Sequence, residues 1–100
     1  MSLTTFENNV LDWAMERGIL RNSYPLAQFA KLVSEVGELA DNIAKGKDVR
    51  DDIGDCMVVL TILAYMSNTD LLECAHTAWN DIKNRTGYLN EQGVFVKEEV

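Results

Sequence analysis

Residues 34–60 read SEVGELADNIAKGKDVRDDIGDCMVVL, with Glu35, Glu38, Asp41, Asp48, Asp51, Asp52 and Asp55 threaded among long aliphatic side chains. This mixture constrains the fold more than any other part of the chain. Leu32, Val36, Leu39 and Ile43 recur at intervals of 4, 3 and 4, the period of one helical face. Lys31, Glu35, Glu38 and Asn42 follow the same rhythm one residue earlier, which lays a polar stripe beside the apolar one. Beyond Gly46 and Lys47 the arrangement repeats. Val49, Ile53, Cys56 or Met57, Leu60 and Leu63 form the apolar side, and Asp52 and Asp55 stand three apart. Acids three apart leave a helix from one face. The passage predicts two helices packed antiparallel across a short turn.

Glycines and the single proline, Pro25, punctuate the rest of the chain. A first helix is expected over about residues 4–17, where Phe6, Val10, Trp13 and Ala14 share a side and Gly18 follows the last turn. The second begins at Pro25, whose fixed φ suits a first helical position, and runs to Lys45. The third has Asp48 as N-cap, with Asp51 completing a capping-box pattern, and extends to about Met66. The fourth begins near Thr69 or Asp70, with Glu73 three residues on, and ends at Gly87. From Tyr88 the period is lost, and residues 93–96 suit a short extended segment. The expected fold is all-α: a single domain over residues 1–100, an antiparallel bundle of about four helices with a short extended C-terminal tail. A chain of 100 residues buries a modest share of its surface, so self-association would supply missing core.

Charge narrows the partners. The net charge is −7, and no basic cluster exceeds Lys45-Gly-Lys47. That balance excludes a nucleic-acid polymer or an anionic membrane as a partner held through a basic patch. The longest apolar run, residues 56–66, falls short of the roughly 20 residues a membrane span requires. Cys56 and Cys74 form no C-x-x-C pair and are expected as buried, reduced thiols, and residues 1–9 lack the pattern of a secretory leader. These features point to the cytoplasm.

If the two polar stripes face one another, Glu35, Glu38, Asp52 and Asp55 meet at one place. Four uncompensated carboxylates repel and raise one another's proton affinity. Lys31 is the obvious nearby cation, so a divalent metal resolves the conflict. Oxygen ligands favour Mg²⁺, which keeps substrate phosphates and waters in its shell. The lack of a Cys or His pair argues against structural zinc. Acids three apart are also common on solvated helix faces, and one such pair decides nothing. Two pairs beside an apolar seam, each enclosing a glycine (Gly37 and Gly54), are more specific. Each glycine costs roughly 1 kcal/mol of helix stability relative to alanine. A close helix approach or a bound ligand would explain that cost.

These residues resemble the MazG-like nucleoside triphosphate pyrophosphohydrolases, whose signature is E-x-x-E, a spacer, then E-x-x-D. Here it reads Glu35-Val-Gly-Glu38, thirteen residues, then Asp52-Ile-Gly-Asp55. The flanking text and the run Asn80-Asp-Ile-Lys83-Asn-Arg85-Thr-Gly87 are similar to the small members found in phages and bacteria. The resemblance implies a helical dimer or tetramer with active sites at subunit contacts. It implies Mg²⁺-dependent hydrolysis of nucleoside triphosphates, often deoxynucleotides, to monophosphate and pyrophosphate by metal-activated water at the α-phosphorus. Mn²⁺ is an expected substitute for Mg²⁺. The motif match makes Glu35, Glu38, Asp52 and Asp55 the metal ligands, with Glu35 or Glu38 accepting the water's proton. The implied setting is a bacterial or phage-infected cytoplasm.

Two departures stand out. Asp52 occupies a position where the family usually has glutamate, one methylene longer. Many relatives show Lys-x-x-x-Asn-x-x-Arg in the last helix, where this chain has His76, Asn80 and Lys83. Asn80 matches, and Lys83 or Arg85 replaces the arginine. Asn80, Lys83 and Arg85 are expected at the substrate phosphates, and Lys31 either there or paired with Glu35 on the surface. Trp13 is expected either in the core or a subunit interface, or as a stacking wall for the base. The departures motivate an alternative: a non-catalytic nucleotide-binding or regulatory helical oligomerisation module of the same fold.

Overall fold

In the computed structural model, which describes residues 1–98, local chemistry sets most helix ends. Ser2 Oγ accepts from the Thr5 amide at 3.0 Å and starts α1 (Leu3–Glu16). Gly18, at φ 75°, ends that helix and opens a further turn, α2 (Ile19–Asn22), which the sequence pattern did not announce. The Asn22 side-chain amide donates to the Gly18 carbonyl at 2.9 Å, beside the backbone bond from the Asn22 N–H at 3.0 Å, and closes this turn. Pro25 occupies the first turn of α3 (Pro25–Ala44) as expected, and Gly46, at φ 68°, follows its end. Asp70 Oδ1 accepts from the Glu73 amide at 2.8 Å and caps α5 (Leu71–Ile82).

The start of α4 (Arg50–Met66) differs from expectation. Its N-cap is Val49, without a side-chain cap, and Asp48 instead accepts from the Arg50 amide at 3.0 Å. Asp51 and Asp52 lie in the first turn, where acids complement the helix dipole. The last helix also stops earlier than Gly87. Gly87–Leu89 forms β1, paired antiparallel with β2 (Phe95–Lys97) in the register Gly87↔Lys97, Tyr88↔Val96, Leu89↔Phe95. A Cβ at Gly87 would collide with the Val96 carbonyl, so pairing requires glycine there. The turn is held by Asn90 Oδ1, which accepts from the amides of Gln92 and Val94. The tail is thus a hairpin, with the segment expected over residues 93–96 shifted to begin at Phe95.

Helices α3 and α4 form the main packed pair, and α1 lies against α4. Val10, Ala14 and Ile62 are the buried centre, with Phe6, Ile19, Leu20, Val58 and Met66 packed around them. Thr61 is enclosed in α4, its hydroxyl donating to the Met57 carbonyl at 2.8 Å. Helix α5 rests on α1 and α4 but is exposed along its length except at Leu71. The buried Glu7 carboxylate of α1 accepts from the Leu71 amide and ties the start of α5 down. Among the described residues no single helix is long and apolar enough to cross a membrane. Both cysteines are free. Cys56 is half-buried, whereas Cys74, expected inside, is exposed on α5.

The face that α3 turns inward is not the expected one. Leu32, Glu35, Leu39 and Asn42 are buried or half-buried, while Val36 and Ile43 are 49% and 61% exposed. The seam therefore runs between the two stripes and takes one apolar and one polar residue in alternation. Val36 and Ile43 join Leu26, Phe29 and Val33 in a second apolar stripe along the outside of α3.

Candidate functional site

The rotation of α3 brings its acids onto the seam. Glu35 and Glu38 leave one face of α3, and Asp55 meets them from α4. One carboxylate oxygen from each of the three lies within 4.8 Å of the others. Glu35 is buried, Asp55 half-buried and Glu38 exposed, so the cluster opens to solvent on one side. Lys31, one turn before Glu35, pairs with Glu35 Oε1 at 3.1 Å. The other oxygen, Oε2, is buried with no hydrogen-bond partner among the described residues. Leaving a buried polar atom unpaired costs about 1–3 kcal/mol, more for a charged group.

The electrostatics carry the same mark of crowding. The charge of Glu35 pushes Glu38 above the usual glutamate range, with desolvation adding to the shift and Lys31 opposing it. Asp55 is raised by desolvation first, then by Asp51, Glu35 and Asp52. Lys31 is raised by its hydrogen bond and charge pairing with Glu35. Burial, followed by the charge of Glu35, pushes the Cys56 thiol up, which leaves the neighbourhood an oxygen donor set. Converging carboxylates, one orphaned oxygen and an open side fit a hard divalent cation such as Mg²⁺ or Mn²⁺.

The fourth acid stands apart. Asp52 is buried, and both its oxygens accept from the Asn42 amide, at 3.1 and 3.0 Å. The structure brings three acids together where the spacing had placed four. The shorter Asp52 side chain lies against Asn42, one turn beyond Glu38 on α3. Asn42 had been placed on the polar stripe with Lys31, Glu35 and Glu38, but no role was read from it. Its neighbours on that stripe were the available signal. A Cβ at Gly37 or Gly54 would meet nothing within 4 Å, so packing within the chain does not account for either glycine.

Trp13 lies 43% exposed on α1, with the Arg17 guanidinium 5.6 Å from its ring centroid. With Phe6, Asn9, Val10, Val58 and Asp55 it lines a pocket of about 390 Å³, within the roughly 300–1,000 Å³ of small-molecule clefts. Asp55 thus belongs both to the acid cluster and to this largely apolar recess. The sequence reading missed Phe6, Asn9 and Val58 as lining residues, although Phe6 and Trp13 had been placed on one helical side. Asn80, Lys83 and Arg85 are not brought onto the acids within the chain. Lys83 donates to Asn80 Oδ1 at 3.2 Å, and Arg85 pairs with Asp81. His76 is exposed on α5.

A family model described as the MazG nucleotide pyrophosphohydrolase domain matches residues 24–88. The chain belongs to the MazG nucleotide pyrophosphohydrolase family. The part that carries MazG identity holds α3, α4, α5 and all four motif acids, while Trp13 and the rest of α1 lie outside it. A relative from Haemophilus phage HP1 (strain HP1c1), described as an uncharacterized 18.2 kDa protein in the rep-hol intergenic region, is 44% identical over 64 residues. That match covers 62% of this chain and 39% of the relative, so the chain spans well under half of the longer protein. Among solved structures, the cyanophage S-2L MazG-like pyrophosphohydrolase, bound to dGDP and three catalytic Mn²⁺ ions per active site, superposes with a TM-score of 0.74. It is 18% identical, with 99% of each chain covered, and it shares the MazG-like all-α fold.

Proposed function

We propose that this chain hydrolyses nucleoside triphosphates, deoxynucleotides foremost, to the monophosphate and pyrophosphate, with Mg²⁺ as the resident cation and Mn²⁺ as a substitute. One observation carries the reading: Glu35, Glu38 and Asp55 converge at the edge of the seam, and Glu35 keeps a buried oxygen without a partner among the described residues. Family membership and the dGDP and Mn²⁺ of the cyanophage neighbour support it. Glu35, Glu38 and Asp55 would hold the cation, with Asp52 contributing charge from beside them. A cation held there supplies charge neutralisation for the phosphates and lowers the pKa of water.

The remaining steps belong to the chain's own groups. Glu35 is tied to Lys31 through one oxygen, whereas Glu38 is exposed. We therefore assign to Glu38 the acceptance of the attacking water's proton. Water adds to the α-phosphorus, the bond to the bridging oxygen breaks, and pyrophosphate leaves with that oxygen. Lys31, 60% exposed at its side chain, can turn from Glu35 to a phosphate. The pocket of Phe6, Asn9, Trp13 and Val58 would take the base, stacked on the indole and held beside Asp55.

Asn80, Lys83 and Arg85 would reach the phosphates from a second copy. The reading is of one domain over residues 1–100 that self-associates as a homodimer or homotetramer in the cytoplasm. The outer stripe of α3 and the exposed length of α5 are the surfaces a second copy would cover. Gly37, exposed on α3, would admit close approach of that copy or of substrate. A second reading, nucleotide binding without turnover, is favoured by the separation of Asp52 from the other acids. Incubation with a panel of NTPs and dNTPs and either cation tests both. Stoichiometric monophosphate and pyrophosphate support the enzyme, and binding without product supports the module.

A further inference from the structure

We infer that Asn42 is a positioning residue for the fourth acid beside the cation site: its side-chain amide fixes Asp52 against α3, at one remove from Glu35, Glu38 and Asp55. The inference rests on the proposed divalent-cation site. An ionised carboxylate only accepts hydrogen bonds, so the Asn42 NH₂ must face it. The two contacts, 3.1 and 3.0 Å, come from one nitrogen, engage both oxygens at once and hold the carboxylate against α3. Asp52 is 8% exposed, and its neutral Asn42 partner brings no countercharge to the carboxylate charge. A lysine at residue 42 would cancel that charge, whereas the amide holds it in place and leaves lone pairs free on both oxygens.

The pair sits one turn from the cluster on both helices. Asn42 follows Glu38 by four residues, and Asp52 precedes Asp55 by three. The charge of Asp52 is felt at both Glu38 and Asp55. Asn42 thereby keeps a fourth negative charge beside the cation without letting it crowd into the first three. The short Asp52 side chain and the Asn42 amide form one unit.

The test is Mn²⁺ titration of the full chain without nucleotide, followed by electron paramagnetic resonance of the free ion, with thermal unfolding in EDTA alongside. Groups supporting metal ligands typically contribute 10–100-fold in affinity. Asn42→Ala is expected to weaken Mn²⁺ binding at least about 10-fold. Asp52→Asn is expected to weaken it comparably, and the double variant no further than the worse single one. Asn42→Ser, which keeps one donor, is expected to fall between and serves if the alanine variant does not fold. Wild-type Mn²⁺ affinity in whichever of these Asn42 variants folds would overturn the inference even if its melting temperature falls, because that pattern is purely structural. Losses that multiply in the double variant would also overturn it. If the wild-type chain itself binds no Mn²⁺, the cation site falls and this inference with it; a wild type that binds alongside an indifferent Asn42→Ala variant defeats the inference alone.

Discussion

Glu38 is the exposed member of the acid cluster. In the metal-free protein it is held beside Glu35 and Asp55, and its proton affinity is raised by that company. Glu38→Gln removes a charge from a repelling set, so the variant should melt a few degrees higher than the wild type in EDTA. The same variant should lose Mn²⁺ binding and product formation while keeping its helical circular dichroism. A lower metal-free melting temperature, or retained turnover, would contradict the assignment. Trp13 makes a complementary case. Trp13→Ala should raise KM on the order of 5–150-fold, from about 1–3 kcal/mol of lost base stacking, with kcat little changed. A change confined to kcat would place the indole elsewhere. The acids could be picked out from the sequence because their spacing is local to each helix. The Asn42–Asp52 pairing was not, because it depends on how α3 and α4 are rotated against one another across the seam.

Helices are legible where their signals are local and obscure where a partner decides. Pro25, Asp70 and Glu73 announced the starts of α3 and α5, and Gly18 and Gly46 marked the breaks. The end of α5 was not legible, since Gly87 is claimed by pairing with Lys97 ten residues on. The orientation of α3 was half legible. Its apolar residues form two stripes, and the sequence does not say which one α4 covers. Helix α4 is enclosed by both α1 and α3, so a deletion there is costly. Ile62→Ala, at a side chain 2% exposed, should destabilise the chain by about 2–5 kcal/mol in denaturant unfolding. A loss below about 1 kcal/mol would mean the core lies elsewhere. Helix α5 depends on Glu7 in a different way. Glu7→Ala removes the acceptor of the Leu71 amide, and hydrogen exchange should quicken at the first turns of α5 before it changes in α4. Unchanged protection in α5 would show that its packing suffices.

For the whole molecule, the crowded acids predict one component of the response to pH. Glu38 and Asp55 both have raised folded-state pKa values. Their contribution to stability is complete below the ordinary carboxylate range and is lost as pH rises through the raised values. The contribution of this pair in EDTA should therefore decline over that interval, seen as a melting temperature that falls more steeply with pH in the wild type than in Glu38→Gln. Saturating Mn²⁺ should reverse the slope, because the cation binds the deprotonated acids. Identical slopes in the two proteins would contradict the crowding. The outer stripe of α3 gives a test of assembly: Val33→Asp should shift sedimentation of a dimer or tetramer toward the monomer, and an unshifted mass would leave that face unpartnered. The central claim concerns the reaction itself. Turnover of a dNTP panel with Mg²⁺ in isotope-labelled water tests it most directly. Equal monophosphate and pyrophosphate, with the label in the monophosphate, is the predicted result. Label in pyrophosphate, release of orthophosphate alone, or no product from any nucleotide would contradict it.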